Sequence, residues 1–140
     1  MIEIKSPYND EVLNFNNTDS FPDLEFVVPG MEQSLSLHKK ILADASKYVK
    51  ETMKNKPGQK FEWVFNMERV VDKKALIKAL MFCYGETITV GTEEGECFAM
   101  IATFLKLQVT CLDDVVRRLS TFIIQQANED FVKGAQMLRM

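Results

Sequence analysis

Hydrophobic positions recur with two different periods along this chain, and the change from one to the other separates strands from helices. In MIEIK, the apolar Ile2 and Ile4 alternate with charged neighbours, as a short strand requires. Leu24 to Val28 is a β-prone run bounded by Pro22 on one side and by Pro29 and Gly30 on the other, which predicts a strand closing in a tight turn. Ser34 to Leu37 alternates polar and apolar as its half-buried partner. From His38 the period becomes 3.6. Ile41, Leu42, Ala45, Val49 and Met53 form one face of a predicted amphipathic helix, with Lys39, Lys40, Lys47, Lys50 and Lys54 on much of the other side. After a Pro/Gly/Lys loop, FEWVF reads as a third strand with Phe61, Trp63 and Phe65 on one face.

Helical spacing governs most of the remaining chain. Asp72 is the expected N-cap of a helix carrying Leu76, Ile77, Leu80, Met81 and Tyr84, and Gly85 stands where a C′ glycine belongs. TITVG is a short strand and turn. Thr92 is then placed to cap a helix whose buried side is Phe98, Ile101, Ala102, Leu105 and Leu107. A further helix begins near Leu112 with Val115, Val116, Leu119, Phe122 and Ile123 inward. The segment from Ala127 to Met140 keeps Phe131, Ala135 and Leu138 on one face as an additional helix. Residues 1–20 form a polar extension in which DEVLNF supplies one or two helical turns.

The run DLEFVVPGMEQSLSLHKKILADASKYV, residues 23–49, resembles the BTB/POZ family pattern D-V-x-F-x-V … F-x-A-H-[RK]-x-x-L-A-x-x-S-x-x-F. Asp23, Val27, His38, Lys39, Leu42, Ala43 and Ser46 fall on motif positions. Leu24, Leu37 and Val49 depart from it while keeping apolar character. ALIKALMFCYGETITV is similar to the family's helix ending in F-x-Y-T-G before a short strand, with Tyr84, Gly85, Glu86 in place of Y-T-G. The resemblance spans residues 21–126. It implies an α+β fold of the Skp/BTB type, a small three-stranded sheet capped by a cluster of helical hairpins, with His38, Leu42 and Ser46 as fold-motif residues. Residues 1–20 are then a dimerisation arm and residues 127–140 a C-terminal helical extension.

Composition narrows the chemistry. At 140 residues the chain is long enough to bury about 70% of the surface its unfolded form exposes, so one core suffices without staples. Cys83, Cys97 and Cys111 lie in or beside apolar helical stretches with no C-x-x-C spacing, so they read as reduced, buried small hydrophobes. With one histidine, a zinc site has no local ligand set, and no metal or cofactor is expected. His38 would be the sole histidine base, no serine sits in a G-x-S-x-G elbow, and KPGQ is a turn and not a phosphate loop, so an enzyme is the weaker class. No stretch approaches the roughly 18 apolar residues of a membrane span, and no secretory signal precedes the domain. A cytoplasmic or nuclear protein-interaction module is the expectation.

Three surfaces follow from the resemblance. BTB domains commonly form two-fold dimers through an N-terminal helix and strand, which here designates Ile2, Ile4, Val12, Leu13 and Phe15 as the interface and a second copy as partner. A charged pocket falls at Asp23 and Lys39, implied to be a partly buried ion pair near that interface; in some repressors this region helps bind corepressors. The cullin-facing surface, through which many members serve as adaptors of ubiquitin ligases built on the third cullin, falls at Met53, Lys54 and Tyr84. Its usual apolar-x-Glu motif is replaced by Met53, Lys54, Asn55, Lys56, Pro57. A monomeric Skp-type adaptor shares the fold and is a further alternative. Independently of family, the interval from Lys39 to Lys60 sets seven lysines against Asp44 and Glu51, within a chain of net charge −3. That asymmetry could steer an acidic partner, but with no arginine and almost no aromatic interleaving it does not point to nucleic acid.

Overall fold

The computed structural model describes residues 1–8, 22–56, 58–67 and 69–138. Its elements, in order, are β1 (Ile2–Ile4), β2 (Leu24–Val27), β3 (Leu35–Leu37), α1 (Lys39–Ala45), α2 (Lys47–Asn55), β4 (Lys60–Glu62), α3 (Val70–Cys83), β5 (Ile88–Val90), a 3₁₀ turn (Glu93–Gly95), α4 (Glu96–Leu107) and α5 (Leu112–Leu138). Two small sheets result. One has the order β3-β2-β4, with β2 antiparallel to β3 and parallel to β4. The other is the antiparallel pair β1-β5, in which Ile2 stands opposite Val90 and Ile4 opposite Ile88. The expected α+β architecture is present, and the three-stranded sheet contains the three strands read from the sequence.

The core lies where these sheets meet the helices. Phe26, Leu37, Phe61 and Trp63 of the larger sheet, Leu42 and Val49 of the first helices, Leu76, Leu80 and Phe82 of α3, and Met100, Phe104 and Leu107 of α4 are all buried. Phe26 stacks on Phe61 at 5.0 Å, and Phe82 meets Phe104 edge-on at 5.2 Å. Each such side chain contributes about 1.5–3 kcal/mol by leaving water. Cys83 and Cys97 belong to this core, and Cys111 is partly buried against it. Burial pushes the Cys83 thiol up to about 12, so it stays protonated and inert at neutral pH.

The long helix expected from His38 is two helices. Ser46 breaks them with extended backbone (φ −121°, ψ 115°), and the break is held from outside. The Lys47 amide donates to the Gln108 carbonyl at 3.0 Å, and the Thr110 amide donates to Ala45 at 3.0 Å, so the kink pairs with the α4–α5 connection in a short antiparallel bridge. Ser46 Oγ donates to the Leu107 carbonyl at 2.5 Å and accepts from the Val49 amide at 3.1 Å, capping α2 while satisfying the end of α4. Gln108 ends α4 in the left-handed region at φ 53°, where glycine is the usual occupant.

Other ends differ from the sequence expectation in instructive ways. Asp72 is not the cap of α3. It lies in the first turn, where Arg69, the N-cap residue, grips its carboxylate with two bonds of 2.8 Å. Gly85 is at C′ as expected, with φ 89°. The Glu86 amide bonds Met81 and the Gly85 amide bonds Phe82, which is a Schellman ending. Thr92 makes no side-chain cap; the 3₁₀ turn follows it, and Glu96 instead accepts from the Gly91 amide and pairs with Lys78. On α4 the buried stripe is Cys97, Met100, Phe104 and Leu107. Phe98 and Leu105, expected on the buried side, are exposed; the helix is apolar over more than half its circumference, so its sequence alone does not fix its phase. The helix near Leu112 and the segment after Ala127 form one continuous α5, whose buried side ends at Phe122.

Ser46→Ala removes a cap and strands a buried carbonyl, so the free energy of unfolding in a denaturant titration is expected to fall by about 2 kcal/mol. A change within about 0.5 kcal/mol, as at an ordinary surface position, would refute the role given to Ser46. Glu96 is pushed up by partial burial, but the Lys78 ammonium and the Gly91 amide outweigh this and hold its carboxyl below the ordinary value of 4.5. Its stabilisation is therefore complete above that value and is lost as pH falls through the depressed one. Thermal melts from pH 6 down to pH 3 are expected to show a shallower acid limb for Glu96→Gln than for the unaltered chain.

Candidate protein-interaction site

The strand–turn–strand–helix segment that dominates the sequence builds a tight polar junction. Leu24 and Leu37 are register partners and both are buried, so β2 and β3 bring Asp23 beside the start of α1. Asp23 Oδ1 accepts from the Lys39 amide at 2.8 Å. His38, the N-cap residue of α1, makes no cap with its own side chain, so Asp23 caps the helix from the neighbouring strand. This corrects the expected charged pocket. Asp23 is exposed, and among the described residues no ion pair joins it to Lys39; it engages the lysine backbone.

Behind this cap lies a buried pair. The Tyr84 hydroxyl accepts from the His38 amide at 2.8 Å and lies 2.9 Å from His38 Nδ1. Tyr84 is 2% exposed and His38 8%. Tyr84 therefore does not reach a cullin-facing surface: it ties the end of α3 to the start of α1. Of the other two residues assigned to that surface, Met53 is partly buried and Lys54 exposed, both on α2. Leu42 is fully buried, and Ser46 closes the kink between α1 and α2.

The N-terminal arm docks on its own chain. Ile4 is buried, and Ile2 is partly buried beside a cavity of about 410 Å³ bordered by Arg117, Arg118 and Phe122 of α5. Ser6 Oγ donates to the Phe82 carbonyl at 2.6 Å. Tyr8 bonds Thr110 Oγ1 at 2.7 Å and sets its ring edge-on to Phe82. Burial of Tyr8 pushes its phenol up to about 12. Ile2 and Ile4 thus find cover within one chain, contrary to the expectation that a partner must supply it. Val12, Leu13 and Phe15 lie outside the described residues. The Ser6 and Tyr8 anchors had no sequence signal, since a single hydroxyl in a polar extension carries no period.

Among the described residues no cluster of three His, Cys, Asp or Glu side chains could hold a metal, and no helix is long and apolar enough to cross a membrane. What the surface offers is helix faces, strand edges and an anchored arm. The BTB/POZ domain model matches residues 12–127. The chain belongs to the BTB/POZ family. Solved BTB domains share its fold: that of human Gigaxonin superposes with TM-score 0.58 at 19% identity, covering 73% of this chain and 77% of that one. The BTB domain of zebrafish PATZ1 does so with TM-score 0.60 at 22% identity, covering 79% and 82%. A search of the curated proteins gave no match. BTB domains are protein–protein interaction modules, generally without catalytic activity, and mediate self-association and partner binding.

The cap assignment is directly testable. Asp23→Ala is expected to lower stability by about 1 kcal/mol, and Lys39→Met, which keeps the amide, by less than about 0.5 kcal/mol. Thermal melting of the two variants separates a side-chain-to-backbone cap from an ion pair, in which both changes would destabilise alike.

Proposed function

We propose that this BTB/POZ domain acts as a homodimerising scaffold or adaptor module. The observation that carries the reading is the β1-β5 pair. A three-residue strand near the start of the chain completes a sheet with a strand more than eighty positions later, and Val12, Leu13 and Phe15 follow it closely in sequence. Such a short strand is held by few bonds. A second copy can offer the same β5 edge, so an arm that pairs within one chain can also pair across a two-fold axis. The apolar residues after the arm gain cover in the same step.

Adaptor activity on a ubiquitin ligase of the third cullin is the alternative, favoured by the partly exposed Met53 at the end of α2. Against it stand Lys54 and Lys56 where adaptors of that kind often present a carboxylate, and the inward position of Tyr84. Corepressor binding near Asp23 is a weaker variant of the same class. Light scattering on the intact chain and on a chain lacking residues 1–20 is expected to give a dimer mass for the first and a monomer mass for the second. A monomer in both would overturn the homodimer reading and move the cullin adaptor to first place.

A further inference from the structure

Resting on the reading of this domain as an interaction module, but independent of the dimer, we infer that the free edge of β4 and the face of α2 beside it form a docking groove for an extended, acidic and apolar peptide segment of another protein. The first observation is backbone direction. β4 pairs with β2 in parallel, and the two strand-end bonds run from Glu25 N to Gln59 O at 2.6 Å and from Trp63 N to Val27 O at 2.8 Å. In a parallel ladder, alternate residues face the partner strand, so Gln59, Phe61 and Trp63 direct their backbone groups to β2. Lys60 and Glu62 direct theirs outward, and β4 is the last strand of its sheet. Two donors and two acceptors therefore stand along an edge that no described strand covers.

The second observation is the space beside that edge. A cavity of about 410 Å³ is lined by Tyr48, Thr52, Met53 and Lys56 on one wall, with Lys60, Phe61, Glu62 and Val64 on the other. Its floor is aromatic: Tyr48 meets Phe61 edge-on at 6.0 Å and Trp63 at 6.1 Å. Val64 is 69% exposed at its end. An added strand would place alternate side chains over Tyr48 and Met53, which is where apolar residues gain most.

Charge selects the occupant. Between Lys47 and Glu62 there are five lysines, Lys47, Lys50, Lys54, Lys56 and Lys60, all exposed, against Glu51 and Glu62. Among the described residues none of these lysines forms an ion pair; the described pairs are made by Arg69, Lys78, Arg117 and Arg118. By comparison, the lysine-flanked groove at Met31, Ile77 and Met81 has Lys78 already held by Glu96 and Lys73 turned to the Gly30 carbonyl. A positive rim with no ion-pair partner among the described residues, an apolar floor and an open strand edge together fit a carboxylate-bearing extended chain, and they repel a basic one.

The test uses the whole chain and a fluorescein-labelled ten-residue peptide alternating valine with glutamate. Fluorescence anisotropy is read against a valine–lysine counterpart and against a version N-methylated at alternate residues. The glutamate peptide is expected to bind, to weaken about tenfold with Lys56→Glu/Lys60→Glu, and to tighten with Glu62→Lys. The same charge change placed elsewhere, in Lys74→Glu/Lys133→Glu, is expected to leave binding within about twofold. All substituted residues are exposed, and circular dichroism checks that each variant is folded. Equal binding of the lysine peptide, or of the N-methylated peptide, overturns the proposal. So does a light-scattering mass that Val64→Glu reduces, which would assign this edge to a second copy. An unaltered chain that binds no peptide, while its dimer mass survives Val64→Glu, overturns this proposal and leaves the interaction-module reading intact.

Discussion

The fold depends on the hydroxyl of Ser46. One oxygen accepts from Val49 and donates to Leu107, so a single side chain starts α2, finishes α4 and fixes the point where the α1–α2 kink meets the α4–α5 connection. Without it the apolar face from Ile41 to Met53 could continue as one straight helix, and the period of the sequence favours that. The kink instead turns Ala45 and Lys47 toward Thr110 and Gln108, and two backbone bonds replace the helical ones forgone at the break. Because Ser46 is fully buried, both partners would otherwise be unsatisfied in a dry site, which makes this contact worth more than a surface bond.

Much of this architecture was legible in the chain because it rests on local periodicity. The strands around Phe26, Leu37 and Phe61, the stripe of Leu76 and Leu80, and the glycine ending at Gly85 all follow from period and turn chemistry. What was not legible comes from contacts distant in sequence. The break at Ser46 requires Leu107 and Gln108, and the cap of α1 requires Asp23, sixteen residues before Lys39. Phe98 was misplaced for a related reason: on a helix apolar over so much of its surface, only the packing of α3 decides which stripe is inside. Asp72 and Thr92 are good capping residue types, yet Asp72 was drawn into an ion pair and Thr92 was displaced by a 3₁₀ turn.

The candidate surfaces divide in the same way. Residues assigned by resemblance proved structural where they lie in the junction: His38 and Tyr84 bond each other, and Asp23 holds a backbone amide. Ile2 and Ile4 were recognisable as a strand, and β5 supplies its partner within the same chain. The groove beside β4 left a partial trace, since the lysine run and the alternation of FEWVF were both visible. That they meet was not, because only the parallel pairing with β2 reveals which backbone groups of β4 remain free.

The consequence reaches from the junction to the surface. Asp23 is spent on the helix amide, so Lys39 adds its ammonium to the lysines of α1 and α2 without an internal carboxylate to cancel it among the described residues. The kink at Ser46 turns α2 away from the line of α1 and sets its side chains Tyr48, Thr52 and Met53 against β4, while Lys50 and Lys54 stay exposed. Positive charge on this face is thus a product of the fold as well as of composition, with Glu51 and Glu62 the acids interspersed among the lysines of residues 47–62. Asp72 is held by Arg69 and Glu96 by Lys78, so neither carboxylate pairs with these lysines. The lysines from Lys47 to Lys60, left in water without ion pairs among the described residues, form the positive rim against which the proposed acidic segment would dock. That local charge balance arises from where the hydrogen bonds go, within a chain of net charge −3.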